Sequence, residues 1–357
     1  MVMTLEQLGY NSKIGELVIE NNLREFEIAR VVSEHKERYI VKTVGGEYEA
    51  EITGNLRFTA ESRSDFPAVG DWVALTVYGS DLAIIHKIIP RFSAISRQAV
   101  GQFGGIQIIA ANVDYALLVQ ACDRDFNINR LERYLTICHS SKVAPIIVLT
   151  KTDLLPENSV KEIVKQINNR IKDVPVYSIS NETQAGYDNL RQIFVSGKTF
   201  CLLGSSGVGK STLLNNISGR EIMKTGSISD STSKGRHVTS HRELIVLEGG
   251  GILIDNPGMR EVGIVDSGGG LEVTFDFIGD LSKQCRFKDC THTTESGCAV
   301  IEAVENGNLD KAAYENYLRI QKERDFFETT EFEKKRKEKI LGKILKDYNG
   351  KDIKGRG

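Results

Sequence analysis

Between about Glu27 and Ile89 the chain runs as short stretches rich in β-branched residues (IARVV, RYIVKT, EYEAEIT, DWVALTV, LAIIHKII), divided by Gly, Asn, Asp and Ser. Five short strands at this spacing, with no strong helical stretch among them, predict a small OB-type β-barrel. Trp72, just after the turn Val69-Gly70-Asp71, reads as a core residue in preference to a stacking platform. From about Asn112 the texture changes. Near-continuous apolar runs (VDYALLVQA, APIIVLT, VPVYSIS, KTFCLLG, GILID) alternate with amphipathic stretches such as INRLERYLTICHS and VKEIVKQINNRI, the pattern of a parallel α/β sheet covered on both faces. After about Thr274 the chain becomes helical and charged, and LDKAAYENYLRIQKERDFFE carries apolar residues at helical spacing. The expected organisation is multidomain: a barrel over 1–92, an α/β domain over 93–273 and a mainly helical unit over 274–357.

The length, 357 residues, agrees with two or three domains at about 150 residues each. With 40% hydrophobic and 26% charged residues, collagen-like, wholly disordered and disulfide-scaffold classes are excluded. No segment approaches the roughly 20 apolar residues of a membrane helix. The start, MVMTLEQLGY, has neither a basic leader nor an apolar signal core, so a soluble, cytoplasmic protein without a membrane partner is expected. The net charge of −2 conceals an asymmetry: residues 334–357 hold 10 Lys/Arg against 3 Asp/Glu, a net of +7, which leaves the preceding residues at −9. Such a basic arm suits nucleic acid, and it equally suits a solvated helical end.

The strongest chemical signal is Gly204-Ser205-Ser206-Gly207-Val208-Gly209-Lys210-Ser211, followed by Thr212, between an apolar run and a helix-compatible one. This fits the phosphate loop G-x-x-x-x-G-K-[ST]: glycines let backbone N–H groups close around phosphate oxygens, Lys210 offsets their charge, and the Ser211 hydroxyl is placed to ligate Mg²⁺. A phosphate loop alone leaves an ATPase or a kinase open. Thr150-Lys151-Thr152-Asp153, at the end of APIIVL, resembles a guanine-reading motif. The Asp153 carboxylate can accept from both the N1–H and the exocyclic amine of guanine, a donor pair that adenine lacks, while the Lys151 stem lies over the base. Ser178-Ile179-Ser180 resembles the accompanying base loop, with Ser178 and Ser180 as its contacts. Asp255-Asn256-Pro257-Gly258 matches DxxG, in which Asp255 holds Mg²⁺ through water and the Gly258 N–H meets the γ-phosphate. The alternative is a GTP-regulated RNA-binding module, or another P-loop NTPase with a different RNA partner; an RNA-binding module with a merely structural nucleotide fold need not keep Lys210, Ser211 and Asp255 together.

Their order is unusual. The base motif at 150 precedes the phosphate loop at 204, which precedes DNPG at 255, so the domain is a circular permutation of the Ras-like arrangement. With these three motifs, KGRHVTSH (234–241) and CRFKDCTHTTESGC (285–298), the chain resembles the ribosome small subunit-dependent GTPase family (RsgA, also called YjeQ). That resemblance implies an N-terminal OB barrel, a permuted P-loop GTPase and a C-terminal zinc domain. It also implies a late assembly factor that binds the small (30S) ribosomal subunit through 16S rRNA and ribosomal proteins and, with Mg²⁺, hydrolyses GTP to GDP when stimulated by the subunit, hydrolysis being coupled to its release. DNA is not an expected partner, and a monomer is expected.

Two positions depart from the pattern: Thr150 stands where GTPases usually have Asn, and Val238 interrupts what the family more often writes as GRHTT. Thr239 is the expected switch threonine on Mg²⁺, with Thr232 the alternative. Met259 occupies the place of a water-positioning Gln, and a thioether cannot orient water. His237, with His241 as competitor, or a group from the ribosome, is the candidate replacement. The catalytic candidates are thus His237, Thr239 and Gly258. Cys285, Cys290, His292 and Cys298 supply three thiolates and an imidazole, enough for a closed, structural Zn²⁺ site. Cys122, Cys138 and Cys201 lie apart and read as ordinary thiols. The loop from Lys224 to Arg242, with 10 Ser, Thr or Gly in 19 residues, and the basic tail are expected to meet γ-phosphate and rRNA.

Overall fold

The computed structural model describes residues 3–35, 38–98, 106–123, 126–220, 243–255 and 269–326. The first helix, α1 (Ser12–Glu20), opens on Asn11, whose side chain accepts from the Ile14 N–H. It turns Ile14 and Val18 onto Leu8, Leu23, Trp72 and Ile89.

The five expected strands form: β1 (Glu27–His35), β2 (Arg38–Lys42), β3 (Glu47–Ile52), β4 (Trp72–Tyr78) and β5 (Leu82–Ile88). They pair in the order β1-β2-β3-β5-β4, and β4 closes back on β1. Only the β3–β5 contact is parallel, the arrangement of an OB-type barrel. Each strand contributes two inward residues spaced by two: Ala29 and Val31, Tyr39 and Val41, Ala50 and Ile52, Val73 and Leu75, Ala83 and Ile85. Trp72 is 1% exposed, packed outside the barrel against α1 with Tyr10 edge-on to it, so it is a core residue.

Two features depart from the all-strand reading. A short helix, α2 (Gly54–Thr59), intervenes between β3 and β4 because the Thr53 hydroxyl caps the Leu56 N–H. A separate hairpin, β6 (Ala94–Gln98) with β7 (Ile106–Ala111), precedes Asn112.

The α/β region consists of β8 (Tyr115–Ala121), α3 (Ile128–Ser140), β9 (Ala144–Thr150), α4 (Glu157–Arg170), β10 (Val176–Ser178), α5 (Tyr187–Arg191), β11 (Thr199–Leu203), α6 (Lys210–Ser218), β12 (Glu243–Val246) and β13 (Ile252–Asp255). Its sheet order is β10-β9-β8-β11-β13-β12, parallel except for β12. One face packs on α5 and α6 through Tyr187, Leu190, Leu213 and Leu214, and the other on α3 through Leu131, Leu135 and Cys138. The barrel joins this sheet directly, since Ser33 of β1 pairs with Glu243 of β12.

A buried cation locks the joint. Arg30 is 1% exposed and donates to the carbonyls of Leu8, Gly70 (3.2 Å) and Asn112 (3.1 Å) while lying over the Trp72 ring. Burial holds its pKa down to about 10, against the pull of Asp114 and Asp71. Gly70 must be glycine here: its φ is +94°, and a Cβ would sit 2.1 Å from the Ala111 carbonyl oxygen.

The C-terminal helices α7 (Gly270–Thr274), α8 (Asp276–Ser282) and α9 (Ala299–Glu305), with a last helix from 311 to 326, share the α3 core through Leu271, Phe275, Ile278, Val300 and Ile320. Glu132 of α3, 2% exposed, accepts from Arg170 and from Asn316 of the last helix, and Arg133 makes a bidentate pair with Glu323. No helix among the described residues is long and apolar enough to cross a membrane.

Candidate nucleotide and metal sites

The four nucleotide motifs sit at the C-terminal ends of neighbouring parallel strands. Thr150 ends β9, Ser178 ends β10, the phosphate loop follows β11 and Asp255 ends β13. This is the edge at which open α/β sheets bind ligands.

The phosphate loop needs its glycines for two reasons. Gly207 and Gly209 have φ of +78° and +92°, and a Cβ on Gly204 would lie 2.4 Å from the Val119 carbonyl oxygen. Lys210 opens α6 and donates through Nζ to the carbonyls of Gly204 (2.7 Å) and Ser205 (2.5 Å). Ser211 and Thr212 lie in the first turn of α6, where backbone N–H groups have no partner within the helix and, with the helix dipole, favour an anion.

Thr150 explains its own departure from Asn. Its hydroxyl is fully buried and donates to the Val208 carbonyl at 2.6 Å, tying the base-motif strand to the phosphate loop. Lys151 takes a left-handed conformation (φ 59°), and its ammonium pairs with Asp123 at 2.9 Å. Asp153 accepts from the Ser180 hydroxyl at 2.6 Å. That hydroxyl is in turn fixed by the N–H groups of Glu182 and Thr183. Thr152 is held through its N–H to the Ile179 carbonyl.

Sequence reasoning missed a second clamp. Asn181 donates to the Gly209 carbonyl (3.0 Å) and accepts from the Tyr187 hydroxyl (2.7 Å), while Asn216 of α6 donates to the Asn181 carbonyl and to the Tyr187 hydroxyl. Asn181 directly follows the Ser178-Ile179-Ser180 loop, so its place after a strand end was the available signal. Asp123, two residues beyond β8, carried the same signal. His237, Thr239, Thr232, His241, Gly258, Met259, the loop from Lys224 to Arg242 and the tail beyond 326 lie outside the described residues.

Cys285, Cys290, His292 and Cys298 converge, their ligand atoms all within 4.8 Å of one another. The Cys285 and Cys298 sulfurs are 3.8 Å apart, and His292 Nδ1 lies 3.6 Å from Cys285 Sγ and 3.4 Å from Cys298 Sγ. A tetrahedral zinc with Zn–S near 2.3 Å and Zn–N near 2.0 Å has ligand-to-ligand edges of about 3.5–3.8 Å; Cys285, His292 and Cys298 stand at such edges, and Cys290, within 4.8 Å of the others, supplies the fourth donor. The loop is shaped for it. His292 sits at φ 59° with its carbonyl held by the Tyr314 hydroxyl at 2.6 Å, and Glu295 gathers the N–H groups of Thr291, Thr293 and Thr294. Cys298 caps α9. Cys122, Cys138 and Cys201 are buried in the α/β core instead, where burial raises each thiol, that of Cys122 to about 11.

Residues 88–265 match the family described as RsgA GTPase. The chain is 43% identical over 299 residues to "small ribosomal subunit biogenesis GTPase RsgA 2" of Lactiplantibacillus plantarum, covering 84% of each protein. To the RsgA 1 protein of Bacteroides thetaiotaomicron it is 38% identical over 345 residues, 96% of each. Among solved structures it resembles YjeQ from Thermotoga maritima (TM-score 0.63, 26% identity, 84% of this chain and 98% of that one). It also resembles YloQ, described as a circularly permuted GTPase (TM-score 0.62, 25% identity, 85% and 96%). Motif order, barrel topology and near full-length similarity agree, and the chain belongs to the RsgA family of circularly permuted GTPases.

Proposed function

We propose that this GTPase acts in the biogenesis of the small ribosomal subunit: it binds the 30S particle with GTP in place, hydrolyses GTP when the particle stimulates it, and leaves as the GDP form. The observation that carries the nucleotide part is the meeting of Thr150–Asp153, Ser178–Ser180, the Gly204–Ser211 loop and Asp255 at one sheet edge. Asp153, held by Ser180, reads guanine. Lys151 stands over the base, the loop N–H groups and Lys210 take the phosphates, and Ser211 with Asp255 would hold Mg²⁺. Mg²⁺, when bound, would supply charge neutralisation for the phosphates. Water attacks the γ-phosphorus, the bond from that phosphorus to the β,γ-bridging oxygen breaks with its electron pair leaving on GDP, and the proton of the water passes to the released phosphate or to solvent. With Met259 unable to orient that water, His237 or a group from the particle supplies the positioning, Thr239 serves as switch threonine and Gly258 senses the γ-phosphate.

The Cys285/Cys290/His292/Cys298 site holds a structural zinc, because four protein ligands leave no open position. With the chain divided into 1–92, 93–273 and 274–357, the partners of this cytoplasmic monomer are 16S rRNA and ribosomal proteins, met in part by the loop from Lys224 to Arg242 and by the basic tail. The similarity of names among the relatives supports the partner assignment. The test is GTP hydrolysis with and without purified small subunits, using ATP and large subunits as controls. Stimulation by the small subunit alone is expected; equal turnover with either subunit refutes the assignment. Asp153→Asn should weaken GTP binding and gain xanthosine triphosphate.

A further inference from the structure

We propose that Asp123 is a positioning residue for the nucleobase: its carboxylate pins the Lys151 ammonium, so that the lysine stem stands as a preformed wall against the base. The inference rests on reading Thr150–Asp153 as the base motif. Lys151 and Asp123 approach to 2.9 Å, with side chains only 27% and 21% exposed. The pair is built from two strand exits rather than from a mobile surface. Asp123 lies two residues past the end of β8, Lys151 one residue past the end of β9, and the Cys122 N–H donates to the Thr150 carbonyl at 3.0 Å. This bond fixes one exit against the other. The left-handed backbone at Lys151 (φ 59°) sets where its stem begins, and the ion pair sets where it ends.

The sign of the charge separates positioning from general electrostatics. A carboxylate beside a site for a nucleoside di- or triphosphate repels the ligand, so its removal should by itself tighten binding. Holding Lys151 has the opposite consequence. An unpinned lysine must be ordered when the base arrives, at about 0.5–1.5 kcal/mol for a rotamer-rich side chain. Loss of Asp123 is therefore expected to weaken binding, and because the stem packs on the ring face it should weaken purines without regard to the exocyclic group that Asp153 reads.

The experiment titrates GDP and IDP into full-length wild type, Asp123→Ala, Asp123→Asn, Asp123→Glu, Lys151→Ala and the double Asp123→Ala/Lys151→Ala, with the melting temperature of each nucleotide-free protein measured in parallel. Expected is a loss of up to about tenfold in Asp123→Ala and Asp123→Asn, equal for GDP and IDP, at unchanged melting temperature. Asp123→Glu should restore affinity, and the double variant should bind no worse than Lys151→Ala. Unchanged or tighter binding in Asp123→Ala, or a loss that simply adds to that of Lys151→Ala, overturns the proposal. If wild type binds neither nucleotide, or Asp153→Asn leaves guanine preference intact, the base-site reading itself falls and this inference with it.

Discussion

Replacing Thr150 by valine removes one hydroxyl from the seam between base motif and phosphate loop and almost nothing else. The side chain is fully buried and donates at 2.6 Å to the Val208 carbonyl, with the Gln120 carbonyl a distant second acceptor at 3.5 Å. Valine keeps the branched shape, so no cavity term enters. Val208 is 3% exposed, so its carbonyl has little access to water once its donor is gone. An orphaned buried acceptor costs about 1–3 kcal/mol, and a loss of about 2 kcal/mol in unfolding free energy is expected. There is a second consequence. The peptide joining Val208 to Gly209 is planar and trans, so a carbonyl held toward Thr150 keeps the Gly209 N–H pointing away from it. Gly209, at one end of this peptide, has positive φ and no side chain to resist its rotation once the pin is gone. Losing one charge-assisted N–H to phosphate bond is worth about 1.5–3 kcal/mol, tenfold or more in GDP affinity. Urea denaturation followed by circular dichroism gives the first quantity and calorimetric GDP titration the second, with Thr150→Ser as the control that keeps the donor. Wild-type stability and GDP affinity in Thr150→Val would refute the argument.

Three further outcomes follow from the packing. Protein purified without chelator should carry stoichiometric zinc by metal analysis. Cys298→Ser should lose it and melt at lower temperature, because the hydroxyl can still cap α9 but is a poor zinc ligand, so the folding contribution of the metal is lost. Arg30→Met should cost about 2–6 kcal/mol in a denaturation experiment, at about 1–3 kcal/mol for each orphaned buried acceptor, since it leaves the Leu8 and Asn112 carbonyls without the Arg30 donor while the Gly70 carbonyl keeps the Asn112 side-chain amide at 3.1 Å; a change below about 1 kcal/mol contradicts the role given to this joint. His139, bonded to Thr274 between α3 and α7, has its imidazole lowered from 6.5 mainly by burial, against the opposing charge of Asp276. The stability it contributes is present above 6.5 and lost as pH falls through the depressed value, so the unfolding midpoint should drop on acidification from about pH 7 to pH 5. His139→Gln should flatten that slope.

The barrel strands were legible because each carries an inward pair at period two, as in Tyr39 and Val41 or Ala83 and Ile85, and that period survives without knowledge of the partner strand. The nucleotide motifs were legible for a different reason. Phosphate and guanine chemistry demand particular residues at fixed short spacings, and Gly207, Gly209 and Lys210 satisfy those demands within a single loop. The Cys/His cluster was readable on the same ground. What stayed hidden was made by distance along the chain. Arg30 reaches Asn112, Asp123 reaches Lys151, and Asn316 reaches Glu132; no local period or spacing encodes such pairs. Helix α2 was missed because a single Thr53 cap decides it, and α7 was invisible because its place depends on Gly270 lying against α3, where a Cβ would come 2.2 Å from the Ser140 hydroxyl.

The permuted order also dictates what the nascent chain exposes during synthesis. Strands β8, β9 and β10 can pair as soon as they leave the translating ribosome, yet β8 borders β11 in the finished sheet, and β11 is made some 80 residues later. Until then the apolar strand Tyr115–Ala121 presents an open edge, the kind of surface that recruits a strand from another chain. Slow codons or stalling between residues 122 and 198 would lengthen that interval, and aggregation of newly made protein, rather than loss of activity in folded protein, would be the cost.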